Sequence, residues 1–352
     1  MSSPSDAPLK ITLDDIAAVN VPAPAVAAPS VGATGAKSYG TIHEAADQFM
    51  PVAEERGSIL LQGWFYLGLA GLGGAIVGWG IAEPGFVDRV GGARWGNLFM
   101  LPLIVTMMCF GFAMAESTVE RSLQKAVLRG ALTLPLGLVL GFFFDRMASV
   151  IYATGLRICY EAGVQTIRNP AVWIARGFGW MVIGAAGGVV YGIIGQSAKK
   201  GYYGVIGGIM GAGLGGTLFD PLVMLTHGGA PSRAVGFALV GVTTGVGMGL
   251  VESALKDRWF YVVAGPLAGK QFILYKSVTT IGSRQQSDIY LFKDPNILPE
   301  HAAIQIAGAR AELRANGPVY WAGQSVKNRV LHDGDLLQIG RYSFRYKEKQ
   351  RS

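Results

Sequence analysis

GYYGVIGGIMGAGLGGTLFD, residues 201–220, carries one charge, at Asp220, and a run of glycines that includes Gly207, Gly211 and Gly215 at four-residue spacing. Four residues is close to one helical turn, so the three lie on one face. In water each interior glycine costs a helix about 1 kcal/mol against alanine. In lipid the helix is enforced, and small residues on one face allow the close backbone approach on which helix association there depends. The same ladder recurs at Gly184, Gly188 and Gly192 and at Gly241, Gly245 and Gly249. The stretch therefore predicts tightly packed membrane helices.

Working outward, apolar runs lie near 58–82, 97–115, 130–152, 171–196, 201–226 and 233–254. Each is long enough to cross about 30 Å of hydrocarbon at 1.5 Å per residue. Asp145 and Arg146 interrupt the third run, which predicts that MASVIYATGL (147–156) lies in the headgroup plane; five or seven spans remain open alternatives. Five runs end on an acid a few residues after a glycine, at Glu83, Glu116, Asp145, Asp220 and Glu252. Either a glycine-rich hairpin was duplicated, or apolar helices stop at a charge. Ionisable groups in hydrocarbon are expensive. Asp145, Asp220 and Glu252 are accordingly the intramembrane candidates for an ion path, and otherwise mark helix ends.

Composition agrees with this reading: of 352 residues, 51% are hydrophobic and 15% charged, and the mean hydropathy is positive. The formal charge of +7 is localised, because residues 256–352 hold 15 basic and 8 acidic groups while residues 1–255 hold 15 of each. A basic tail domain at a membrane is drawn to an anionic cytoplasmic leaflet. Residues 1–57 carry 7 acids and 3 bases around an Ala/Pro/Ser/Gly tract, which predicts a disordered tail with a short amphipathic helix over 41–56. No basic and apolar leader opens the chain, so no signal peptide is expected and the N-terminus is assigned to the cytoplasm. Basic residues flank the runs on both sides and orient them only weakly. An even number of spans returns the chain to the cytoplasm at Lys256.

After Leu255 the texture changes to short alternating segments: WFYVVAG, QFILYK, VTTIGS, SDIYLF, AAIQIAG, ARAELRA, LLQIG and YSFRYK. They predict a small β-sandwich, with tight reversals at Asn316-Gly317 and Asp333-Gly334. The organisation expected is thus a tail (1–57), an α-helical bundle of about six glycine-rich transmembrane helices (58–255) and an all-β domain (256–352).

TTIGSRQQSDIYL, ILPEHAAIQI, ANG, VLHDGDLLQIG and YSFRYK, over roughly residues 259–349, resemble the forkhead-associated (FHA) domain in order and spacing. The resemblance implies a sandwich whose end loops bind a phosphothreonine peptide. The binding groups would be an arginine after the IG, a serine three residues before the histidine, and the asparagine of an NG pair. Gly282, His301, Asn316 and Gly317 match that pattern. Ser283 stands where the arginine is expected, with Arg284 one place later, and Leu298 stands where the serine is expected. Bidentate guanidinium contacts and hydroxyl donors are what hold a phosphate, so these departures predict weak phosphate reading or a phosphate-independent contact. His301 is expected to brace the loop.

His43, His227 and His332 have no companion at metal-ligand spacing, and no phosphate-binding loop or nucleophile elbow is present. Cys109 and Cys159 are too few for a disulfide framework. Neither an enzyme nor a metal or cofactor is therefore expected. The expected partners are the lipid bilayer and a protein, threonine-phosphorylated or not, rather than nucleic acid; homo-oligomerisation is left open. The reading is a multi-pass inner-membrane protein with a cytoplasmic FHA-like domain that mediates protein interaction. The alternative is a small channel or transporter regulated by that domain.

Overall fold

The apolar runs form six helices in the computed structural model, which describes residues 58–88, 94–164, 166–226 and 229–349. They are α1 (Gly63–Ala82), α2 (Trp95–Val119), α3 (Leu123–Glu161), α4 (Pro170–Ile194), α5 (Ala198–Leu225) and α6 (Gly229–Leu255). All six are long and apolar enough to cross a membrane. Local chemistry sets several of the ends. Asn169 caps α4 by accepting from Ala171 N at 3.0 Å, with Pro170 at the first helical position. Ser197 caps α5 through Lys200 N at 3.2 Å. Arg121, with φ 57°, closes α2 as the left-handed residue before Ser122 N reaches back to Ser117 O.

The helices pack in a closed ring in chain order, α1 against α2 through α5 against α6 and α6 back on α1, with α2 also touching α4. The three glycine ladders decide three of these seams. A Cβ on Gly184 would lie 2.0 Å from Gly208 O, and one on Gly188 2.1 Å from Val205 N, which is the α4–α5 seam. Gly207 and Gly211 press on Gly247 O and Thr243 O to form the α5–α6 seam. Gly241, Gly245 and Gly249 meet Gly71, Leu67 and Trp64 on α1. Phe112, Ile104, Cys109, Met248 and Trp180 are among the side chains filling the interior, while Leu69, Val139, Val150, Phe178 and Leu214 stay exposed on the outer wall. Such a wall would be an aggregating surface in water and suits lipid.

One expectation is corrected here. The third run is one unbroken 39-residue helix, so residues 147–156 continue α3 and do not turn off into a separate in-plane segment. Asp145 does not interrupt it, because the buried carboxylate pairs with the neighbouring Arg146, whose own side chain is largely exposed. The short helix expected over 41–56 lies outside the described residues.

Nine strands follow: β1 (Arg258–Ala264), β2 (Gln271–Ile273), β3 (Val278–Gly282), β4 (Ile289–Tyr290), β5 (Ala302–Ala307), β6 (Arg310–Trp321), β7 (Gln324–Leu331), β8 (Leu336–Ile339) and β9 (Tyr342–Glu348). Their hydrogen-bonded order is β2-β1-β9-β8-β6-β5-β3-β4, with β7 on β6. Strand β6 turns the corner of the sandwich. Residues 310–315 pair with β5, and after an irregularity between Arg314 and Val319, residues 319–321 pair with β8. Asn316-Gly317 therefore sits inside β6, at the corner, and is not the tight reversal expected. The hairpin turns instead at Ala322-Gly323, where φ is positive at both residues. Asp333-Gly334 does form a turn. Phe260, Ile281, Leu291, Ile304, Leu313, Val319, Leu337 and Phe344 are among the buried core.

Candidate functional site

Glycine at 282 is dictated by space, since a Cβ there would lie 2.1 Å from Pro299 O. That close approach brings the turn after β3 against the segment before β5, and Ser283 N donates to Leu298 O at 3.0 Å. His301, wholly buried, braces the cluster. Its Nδ1 accepts from Leu298 N at 3.1 Å. Nε2 must then carry the proton and donates to Pro318 O at 3.0 Å. A Cβ on Gly317 would strike the same ring at 2.4 Å, so the NG pair leaves room for the brace. Asn316 Nδ2 donates to Glu300 O at 3.2 Å.

Ser283, Arg284, Leu298, Asn316 and Gly317 thus share one end of the sandwich, around the buried His301. Arg284 is exposed and committed to an acid, with Nη1 at 2.8 Å from Glu300 Oε1. Leu298 presents an apolar surface, 44% exposed, in the place where a hydroxyl was expected. Sequence reasoning had no signal for Glu300 as the partner of Arg284, because the two are 16 residues apart and meet only through the fold.

The same loop also faces the helices. Gln285 accepts from Ser122 Oγ at 3.3 Å and, through Oε1, from Gln124 N at 3.2 Å. Lys125 Nζ donates to Ser287 O at 3.0 Å, and the Arg121 guanidinium lies 5.7 Å from the centre of the Phe292 ring. Beside these contacts a layer of charge is sealed between bundle and sandwich. Lys270 and Glu120, each 2% exposed, pair at 2.9 Å. Lys200 and Arg129 share Glu116, and Tyr275 donates to Glu252. Burial and the Glu252 carboxylate raise the Tyr275 phenol well above its ordinary range, so it remains a donor. At Asp288 burial opposes ionisation. Lys276 at 2.8 Å and the Thr280 N–H and hydroxyl outweigh it and hold the carboxyl below its usual range. Of these junction groups only Glu116 and Glu252 stood out in the sequence, as acids that end apolar runs; the other charged groups read as solitary charges near element ends.

The three intramembrane candidates do not converge. Glu252 lies at the sandwich end, bonded to Tyr275 and 3.4 Å from the Tyr191 hydroxyl. Asp220 lies toward the other end, where α4 begins, and pairs with Arg176 at 2.8 Å, itself stacked over Tyr152. Asp145 pairs with Arg146. Among the described residues no group of His, Cys, Asp and Glu could hold a metal ion, and Cys109 and Cys159 are buried and unpaired with each other.

Residues 279–340 match the FHA domain family model, which makes the C-terminal sandwich an FHA domain. Among solved structures, a domain described under phosphothreonine-dependent FHA domain interactions is 20% identical, over 27% of this chain and 100% of its own, with a TM-score of 0.25. The FHA domain of CT664 protein from Chlamydia trachomatis is 22% identical, over 27% and 100%, with a TM-score of 0.25. The FhaA FHA domain complexed with the intracellular domain of Rv3910 is 20% identical, over 26% and 100%, with a TM-score of 0.24. No curated protein matches the chain.

Proposed function

We propose that this chain, six apolar helices carrying an FHA domain, is a bacterial inner-membrane adaptor that holds the domain at the cytoplasmic face and binds a protein partner there without requiring phosphate. The FHA domain is an interaction module, and the basic surplus beyond Lys256 supports a place beside an anionic leaflet. One observation carries the phosphate-independent part. The two positions expected to ligate phosphate are Ser283 and Leu298, and the neighbouring cation, Arg284, is exposed and pairs with Glu300. A partner that inserts a small apolar group beside Leu298 and offers backbone polar groups to Asn316 fits this surface better than a dianion.

Hydrogen bonds to a charged group contribute about 1.5 to 3 kcal/mol each. The loss of two should cost phosphopeptide affinity about a hundredfold or more. The purified full chain, titrated with a phosphothreonine peptide library and its unphosphorylated twin, is expected to show millimolar or weaker binding with no preference for phosphate. Ser283→Arg with Leu298→Ser should create a preference. Micromolar, phosphate-dependent binding by the unaltered chain would overturn the proposal.

A further inference from the structure

A crevice of about 520 Å³ opens on the outer wall where the sandwich meets the bundle. Its lining changes character along the helix axis. Lys125 and Arg129 on α3 and Lys276 from the sandwich stand near the junction, and Leu128, Leu132 and Leu136 on α3 with Ile193 on α4 continue away from it. Residues 125, 128, 129, 132 and 136 follow helical spacing on one face. From residue 124 to residue 136 that face descends about 18 Å into the apolar wall. Leu128, Leu132 and Ile193 are all more than half exposed, so the floor has no protein cover.

The rim is cationic. Lys125, Arg129 and Lys276 line it with one acid, Asp288, which Lys276 and Thr280 already engage; behind the rim Glu120 lies 3.7 Å from Lys125 and Glu116 3.3 Å from Arg129, and these two acids are shared with Lys270 and Lys200. Arg129 uses Nη1 for both Glu116 and Ser117, which leaves the donors on Nε and Nη2 for a ligand. Lys276 spends one of its three donors on Asp288. A phosphate with an uncharged headgroup matches that rim, whereas a zwitterionic headgroup would add a fourth cation to it. A soluble anion would satisfy the rim and leave the leucine floor uncovered.

We propose that the crevice binds an anionic phospholipid from the leaflet that faces the FHA domain, with its phosphate among Lys125, Arg129 and Lys276 and its upper acyl chain along Leu132 and Leu136. Because the rim draws on both the bundle and the sandwich, the lipid is a shared ligand of the two. The inference rests on the membrane-spanning part of the function proposed above and is independent of what the FHA domain binds.

The test uses the full chain in nanodiscs of zwitterionic phosphatidylcholine doped with a phosphatidylglycerol that carries a photoactivatable group high on one acyl chain. Cross-links are mapped by mass spectrometry. They should concentrate on residues 128–136 and 193–194, at several times the density found on the outer wall at Val139, Val150 and Phe178. Unlabelled phosphatidylglycerol should chase them, and phosphatidylcholine or free glycerol phosphate should not. A basic residue near an anionic lipid surface strengthens attraction by about fivefold, so Arg129→Gln with Lys276→Gln should lower crevice labelling fivefold or more. Both residues also serve internal ion pairs. Leu132→Trp, which fills the floor and touches no charge, should lower labelling independently, while Lys327→Gln on the far strand β7 should not. Equal labelling by a phosphatidylcholine probe, or density no higher than on the outer wall, would overturn the lipid site and leave the spanning helices standing. A chase by glycerol phosphate would assign the rim to a free anion instead. No labelling on any helix would overturn both readings.

Discussion

Lys270 and Glu120 are taken out of water together, and their separation is worth more than their presence. Removing one partner of a buried pair costs about 3 to 5 kcal/mol, because the other charge stays buried alone; replacing both by apolar groups of similar volume is often near neutral. Lys270→Met alone and Glu120→Leu alone should each lower the thermal midpoint of the full chain in detergent. The double variant should recover most of the loss. Additive losses in that cycle would show that the pair is not coupled. Asp288 gives the pH dependence. Its folded pKa lies below the ordinary value, so its contribution is fully present above about pH 4 and disappears as pH falls through the lower folded value. Asp288→Asn should destabilise the chain by about 1 kcal/mol at pH 7, with the gap to the unaltered protein narrowing as pH falls below the ordinary carboxylate value. A gap that stayed constant throughout the acid range in which the chain remains folded would mean that the carboxylate charge is not what holds the β3–β4 loop.

Among the elements, the glycine seams separate two kinds of position that composition alone treats alike. A Cβ on Gly211 or Gly245 would meet backbone oxygen at 2.1 or 2.0 Å, whereas Gly73 has nothing within 4 Å. Backbone cannot step aside as a flexible side chain can, and overpacking costs about 1 to 3 kcal/mol or more. Gly211→Leu and Gly245→Leu should therefore destabilise the bundle, and Gly73→Leu should change stability by less than about 1 kcal/mol. Equal melting of all three variants in detergent and in bilayers would remove the seams as the basis of packing. The helices were legible because long unbroken apolar runs suit a membrane span and little else, and the ladders because four-residue spacing selects one face. The full length of the third helix was not, since a charged pair in the sequence resembles a stop. Adjacent residues on a helix point in different directions, so Asp145 is buried while Arg146 is not. Strand β7, QSVKNRVL, carries little signal because it pairs only with β6 and is exposed along most of its length, with no clean alternation to read. The loop end of the sandwich was legible only through the FHA resemblance, which singled out Gly282, His301 and Asn316. The junction was not, since Lys270 and Glu120 lie 150 residues apart.

For the molecule as a whole, six helices in a closed ring place the start of α1 and the end of α6 at the same face, the one that carries the sandwich. With Cys109 and Cys159 replaced by alanine, a cysteine at Ser325 should resist a membrane-impermeant maleimide in intact cells. One at Ala162, in the connection between α3 and α4, should react. The opposite pattern would invert the orientation, and labelling of both would break the six-span arrangement. The ion path weighed from the sequence also finds no support at this scale, because Glu252 and Asp220 lie toward opposite ends and each is bonded to a neighbour.

FHA domains are small units that can in principle be joined to many hosts, and the short step from Leu255 to Arg258 looks like an ordinary joint. Here the joint is not interchangeable. Any other sandwich grafted after Leu255 would leave Glu120, 2% exposed, with Lys125 at 3.7 Å but without the closer Lys270, and would leave Glu252 without the Tyr275 hydroxyl. Conversely, this sandwich cut free would expose a lysine shaped for burial. The two halves therefore have to be redesigned as a single part.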